Sequence, residues 1–197
     1  MKSNQVIINW VNKDTSILDL GCGDGSILEI LSLKKNVKGL GVEIDPKNIQ
    51  SCIDKGINVI EQNIDEGITN FKSKSYDYVL LSETIQVLEN PEQALLEITR
   101  IGKSSIVTFP NFAHWKSRLG LFFLGRMPKT NALPQEWHNT KNIHLCTIKD
   151  FESLCEKLEI SIDKKTVINS NKESFLFKNI FPNFFGELIT YQVSRKI

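Results

Sequence analysis

The stretch that most constrains this chain is residues 16–31, Ser-Ile-Leu-Asp-Leu-Gly-Cys-Gly-Asp-Gly-Ser-Ile-Leu-Glu-Ile-Leu. Ile17, Leu18 and Leu20 form a short apolar run, and Gly21, Gly23 and Gly25 follow at every second position. Ser26 then opens a helical pattern with Ile27, Leu28, Ile30, Leu31 and Leu33 on its apolar side. The expected local structure is a buried strand, a tight glycine turn and a helix N-terminus. Glycine permits positive φ and close approach of a ligand to backbone. The free N–H groups of a helix N-terminus favour an anionic group.

The same rhythm repeats downstream. Strands are expected over 37–44, 57–61, 76–82 and 104–109, with helices opening at Pro46 and Pro91 and closing at Gly56 and Gly102. A short helix over 6–11 precedes the first strand. Strands alternating with helices at this spacing predict a parallel, doubly wound α/β sheet. From Asn111 to Asn142 the rhythm breaks; His114–Leu124 has helical character and 125–140 reads as irregular. Insertions of this length in a compact fold are usually functional. Regularity returns with a helix over 149–158, capped by Thr147, and a strand over 160–168. A polar turn at 169–173, a phenylalanine-rich stretch over 175–185 and a last strand over 187–193 complete a single expected domain, 1–197.

Composition excludes several classes. A net charge of +1 creates no field to recruit nucleic acid or a membrane surface. No apolar run approaches the ~20 residues of a membrane span, and the N-terminus lacks a signal-peptide pattern. A cytoplasmic protein is expected. Cys22, Cys52, Cys146 and Cys155 form no C-x-x-C pair, so a metal or dithiol centre is not expected. Cys22 reads as a small residue tolerated in the turn, not a nucleophile, and Cys146 and Cys155 as core thiols.

In a doubly wound sheet the carboxyl ends of the strands line one crevice. Asp19 stands just before the glycines, Glu43 ends the second strand, and Asn63 and Ile64 lie in the loop after the third. An acidic residue at the second strand's end can accept both hydroxyls of a ribose, and the following loop can hold an adenine. Asp45 competes with Glu43 for the ribose, or caps the next helix. No P-loop lysine follows the turn. Dinucleotide binding is the competitor, but its fingerprint is G-x-G-x-x-G, whereas this turn is G-x-G-x-G. A purely structural reading leaves Asp19 as a turn-stabilising carboxylate and the glycines as packing.

The turn D-x-G-x-G-x-G resembles motif I of class I S-adenosylmethionine-dependent methyltransferases. A longer series is more specific: Gly-Val-Glu-Ile-Asp-Pro at 41–46, Phe-Pro-Asn-Phe-Ala-His-Trp at 109–115, Gly-Arg-Met-Pro-Lys-Thr-Asn-Ala-Leu-Pro at 125–134, Glu136-Trp137, Asn-Ile-His-Leu-Cys-Thr-Ile at 142–148, and Pro-Asn-Phe-Phe-Gly-Glu at 182–187. Together these resemble the methionine biosynthesis protein W family, MetW. The resemblance implies a Rossmann-like class I methyltransferase fold with a seven-stranded, mostly parallel sheet and helices on both faces. It implies S-adenosylmethionine or S-adenosylhomocysteine as cofactor, against Asp19, Gly21, Cys22, Gly23, Gly25, Glu43, Ile44, Asn63, Ile64 and Ser82. Asn63 stands where many relatives carry Asp, so it brings an amide acceptor without charge. The resemblance also implies an accessory role beside a MetX-like homoserine O-acetyltransferase or O-succinyltransferase. A small-molecule methyltransferase with its acceptor under 111–142 is the alternative.

His114 and His138 are candidate bases for methyl transfer, and His144 reads as structural. Proximity and orientation alone can serve a good nucleophile. The 111–142 segment reads either as a lid packed on the chain's own core or as a protein interface, because Trp115, Leu119, Leu121–Leu124, Met127 and Trp137 are interleaved with Arg118, Arg126 and Lys129. The phenylalanine-rich stretch poses the same choice.

Overall fold

The computed structural model describes residues 2–169 and 181–196. Its centre is β1 (Ser16–Leu20), buried at Ile17, Leu18, Asp19 and Leu20. Such a strand needs cover on both faces, which a parallel sheet with crossover helices provides. The chain moves outward from β1 to β2 (Lys38–Glu43) and β3 (Val59–Glu61), then crosses back to β4 (Tyr76–Ser82) and β5 (Gly102–Pro110). The strand order is β3-β2-β1-β4-β5-β7-β6, with β6 at Ile160–Ile168 and β7 at Leu188–Arg195. The pairings β1–β2, β1–β4, β2–β3 and β4–β5 are parallel, and β7 runs antiparallel to both β5 and β6.

Alternation along the strands feeds two cores. Leu18, Leu20, Val79, Leu81, Val107 and Phe109 face α4 (Pro91–Ile101) and α6 (Ile148–Lys157), meeting Leu95, Ile98 and Phe151. Ile17, Tyr78, Leu80 and Ile106 face α1 (Lys2–Trp10) and α2 (Ser26–Lys35), meeting Ile7, Leu28 and Leu31. α3 (Pro46–Asp54) adds Cys52 to the second core. Each fully buried side chain of this size is worth about 1.5–3 kcal/mol of transfer free energy. Phe109, Phe151 and Tyr191 stack under the β5–β7 seam, with ring centroids 4.7–6.0 Å apart.

The helix boundaries follow local chemistry. Asp45 caps α3 by accepting from the Lys47 N–H at 2.9 Å, and Pro46 occupies the first turn. Thr147 and Asp150 form a reciprocal capping box at the head of α6. Several boundaries differ from the expected ranges by one to four residues. α1 starts at Lys2 rather than at residue 6. β3 begins at Val59 rather than at residue 57, because the Ile57 N–H donates to the Cys52 carbonyl and so closes the exit of α3. Most of the expected polar turn and phenylalanine-rich stretch lies outside the described residues; Pro182–Phe185 within it forms the short helix α7.

Between β5 and α6 the chain makes its long excursion. The excursion contains α5 (Trp115–Leu124) and an irregular return. It is closed at its base: the Phe112 N–H donates to the Cys146 carbonyl at 3.1 Å, and the Ile143 and His144 N–H groups donate to the Gln86 carbonyl. The buried Asn111 amide ties this base to α7 and α6, donating to the Asn183 and Gly186 carbonyls and accepting from the Ala113 and Ile148 N–H groups.

Candidate functional site

The carboxyl ends of β1, β2 and β4 meet where the chain reverses its direction across the sheet, the usual position of a ligand crevice in open α/β sheets. The turn after β1 has φ of +73° at Gly21, +55° at Gly23 and +74° at Gly25, so all three residues occupy the left-handed region. They are not equivalent. A Cβ on Gly21 would lie 2.7 Å from Thr84, and one on Gly25 would lie 2.9 Å from the Cys52 sulfur. A Cβ on Gly23 would meet nothing within 4 Å. The outer two glycines are therefore required by packing, whereas Gly23 borders open space.

Glu43 holds this turn to β2. Its Oε2 accepts from the Gly23 N–H at 2.8 Å, and its Oε1 accepts from the Ile44 and Asp45 N–H groups at 2.8 and 3.0 Å. A carboxylate offers about four acceptor positions, so roughly one remains for a ligand. Glu43 is expected at a ribose from its position at the end of β2; the clamp it makes is additional to that expectation. Asp45 is committed to capping α3. Ile44 is 57% exposed beside the clamp, an apolar surface at the mouth of the crevice.

Asp19 lies under the turn, and neither carboxylate oxygen has a hydrogen-bond partner among the described residues. Burial, reinforced by the nearby Glu43 charge, pushes its pKa up to about 7. Among the described residues neither Asp19 nor Glu43 makes an ion pair. The turn thus rests over two carboxylates without a matching cation.

The other expected positions are nearby but variously occupied. The Asn63 amide stabilises its own loop, accepting from the Asp65 N–H and donating to Glu66, each at 3.1 Å. Ile64 packs partly against the core. Ser82 ends β4, and its carbonyl accepts from the Thr84 hydroxyl. Cys22 is buried with its sulfur 3.9 Å from that of Cys52. Burial, then the Asp19 charge, pushes its thiol pKa up, which suppresses the thiolate a nucleophile requires. Cys155 is a buried core thiol; Cys146 is half-buried against the same core.

Three residues at this rim escaped the sequence reading. Thr84 fills the space over Gly21. Gln86 is buried and anchors the excursion through its carbonyl. Glu83 adopts a left-handed φ of 55°, donates its N–H to the Thr108 carbonyl, and has its carboxyl pKa raised by burial. A non-glycine residue in that region marks a constrained position. The polar pair Glu83-Thr84 directly after an apolar strand was the available signal for two of them; Gln86, between Ile85 and Val87, offered none.

The histidines do not assemble into a cluster. His114 precedes the first residue of α5, just past β5, which lies two strands from β1, or roughly 10 Å along the sheet. It is buried with Nδ1 unpartnered, and burial lowers its pKa. His138 is exposed beside Trp137, and His144 is fixed by its N–H to Gln86. Among the described residues there is no group of metal-ligating side chains, and no helix is long and apolar enough to cross a membrane.

This fold is that of the class I S-adenosylmethionine-dependent methyltransferases. One such structure, from Thermotoga maritima, superposes with a TM-score of 0.69 at 18% identity, covering 99% of this chain and 88% of its own. The [4+2]-cyclase SpnF superposes at a TM-score of 0.66 with 9% identity, covering 100% of this chain and 81% of its own. The shared fold therefore extends to a protein named for cyclisation and does not by itself define a reaction. The family assignment is more specific. The profile of methionine biosynthesis protein MetW matches residues 2–193, and the chain belongs to that family. A bifunctional methionine biosynthesis protein MetXA/MetW from Rhodopirellula baltica is 33% identical over 168 residues, covering 81% of this chain. The chain spans 27% of that relative's length.

Proposed function

We propose that this chain binds S-adenosylmethionine or S-adenosylhomocysteine at the β1–β2 rim and acts as an accessory protein of a homoserine O-acyltransferase in methionine biosynthesis. The observation that carries the reading is the relative in which a MetW region shares one polypeptide with MetXA. Fusion places two functions at high mutual concentration, an arrangement suited to partners that must act together.

The site's chemistry fits the cofactor. Gly23 leaves room for close approach to backbone. Glu43 retains an acceptor position for a ribose hydroxyl while holding the turn. Ile44 offers apolar cover for a flat base. The uncompensated Asp19 and Glu43 favour a cationic ligand, and both cofactor forms carry an α-ammonium group. When bound, S-adenosylmethionine supplies an electrophilic methyl group. The chain's own part is to orient it and to hold negative charge beneath it. A bound cation lowers the Asp19 pKa, so binding near pH 7 releases protons and weakens at lower pH.

Co-purification with the homoserine acyltransferase of the source organism tests the accessory role. A stable complex with altered acylation rate supports it, and absence of both refutes it. A second reading, a small-molecule methyltransferase, draws on the buried His114 beyond β5, whose pKa burial lowers. Methyl release from labelled cofactor over a metabolite panel tests that reading; tight cofactor binding without turnover counts against it.

A further inference from the structure

α5 is the one described helix whose sequence and surroundings disagree. Its second half is Leu119-Gly-Leu-Phe-Phe-Leu, apolar on every side, and a helix that is apolar all round normally lies inside something. Yet Leu121, Phe122, Phe123 and Leu124 are 52%, 81%, 72% and 72% exposed, and Ser117 is the helix's buried residue. The core of the domain does not use these side chains. At 10 residues the helix is about 15 Å long, half the thickness of a bilayer core.

The placement of α5 is nonetheless fixed. The His114 carbonyl accepts from the Ser117 and Arg118 N–H groups, the Arg118 Nε donates to the Ala113 carbonyl at 2.6 Å, and the Arg118 guanidinium lies 5.5 Å from the centre of the Phe184 ring. The excursion's base is fastened to Gln86 and Asn111. An apolar helix held out from the body on a fastened base is already organised for docking, so binding loses little conformational entropy.

The surrounding charge is one-sided. Lys116, Arg118, Arg126, Lys129 and Lys141 lie within the excursion, while Glu136 is its sole carboxylate and is paired with Lys129 at 2.7 Å. The whole chain carries +1, so positive charge is concentrated here and the remainder is net negative. An apolar centre with a basic rim complements a protein face with an apolar centre and an acidic rim.

We infer that the exposed half of α5 is the docking face for the homoserine acyltransferase, with Phe122 and Phe123 as its anchors and Lys116 and Arg126 on its rim. This rests on the accessory role proposed above, in which the partner is the enzyme named beside MetW in the fused relative. Aromatic anchors surrounded by a polar rim are where binding energy concentrates in protein interfaces.

The test measures the affinity of the purified chain for the purified acyltransferase of the same organism, by calorimetry. The double substitution Phe122→Ser/Phe123→Ser should weaken binding at least tenfold, with unchanged circular dichroism and unchanged cofactor affinity. Lys116→Glu/Arg126→Glu should weaken it and flatten its salt dependence. Leu33→Ser, at an 80% exposed position on α2, should leave it unchanged. Wild-type binding that survives both double substitutions overturns the assignment of this face but leaves the accessory role standing. A wild-type chain that does not bind overturns both. Loss of self-association or of binding to anionic vesicles in the phenylalanine variant, with acyltransferase affinity intact, assigns α5 to a second copy or a lipid surface and also overturns the proposal.

Discussion

Phe109 and Phe122 lie on either side of the base of the excursion and have opposite surroundings. Phe109 lies in β5, is 0% exposed, and stacks with Phe151 and Tyr191. Phe122 stands on α5 at 81% exposure, with Phe123 as its aromatic neighbour. One region is apolar because the fold requires it. The other is apolar although the fold does not. The contrast separates the doubly wound sheet with its glycine crevice from the excursion between β5 and α6.

The comparison can be broken at several points. The largest effect is expected in the generic core: Phe151→Ala should cost about 3–5 kcal/mol of unfolding free energy by denaturant titration. A loss below 1 kcal/mol would mean that the β5–β7 seam is not the packed centre described.

The crevice should show itself through pH. Asp19 has a folded pKa of about 7, against an ordinary value near 3.8. The folded state therefore binds more protons than the unfolded state between those values, and stability from this group falls as pH rises through that window. For the ligand-free chain the loss between pH 5 and pH 8 is roughly 3 kcal/mol. Asp19→Asn should remove it, and thermal melts of both proteins at the two pH values will reveal the difference. Parallel pH profiles would show that Asp19 titrates normally.

Glu43→Gln keeps the shape but supplies one acceptor oxygen in place of two. Cofactor affinity should fall by about 1–3 kcal/mol, read by calorimetry. Unchanged affinity would move the ribose away from β2. Thr147→Ala breaks the capping box of α6 and should cost about 1 kcal/mol. The smallest effect belongs to the other side of the comparison. Phe122→Ser should change stability by no more than about 0.5 kcal/mol, because it removes no core contact. A large loss there would make α5 part of the fold after all.

Much of this architecture was legible in the residues. The run Ile17–Gly25 specifies strand, left-handed turn and helix because apolar periodicity and glycine placement leave few alternatives. Tyr76–Ser82 and the Pro91 and Thr147 helix starts were readable for the same local reasons. The clamp made by Glu43 was not legible, since the Gly23 N–H that it accepts comes from another strand's turn. Asp19 could be singled out by position, but its lack of partners depends on what packs around it in three dimensions. The excursion was legible as an interruption and its composition as lid or interface. Only burial distinguishes those readings. The 52–81% exposure of Leu121, Phe122, Phe123 and Leu124 is the observation behind the interface proposed above.

The accessory role proposed for this chain can be measured on the homoserine acyltransferase itself. The most direct measurement is the initial rate of homoserine acylation by that enzyme as purified chain is titrated in. A saturable change in rate is expected, reaching its plateau at a fixed stoichiometry and lost with the α5 phenylalanine variant. A rate that stays constant up to a large molar excess of the chain would contradict it.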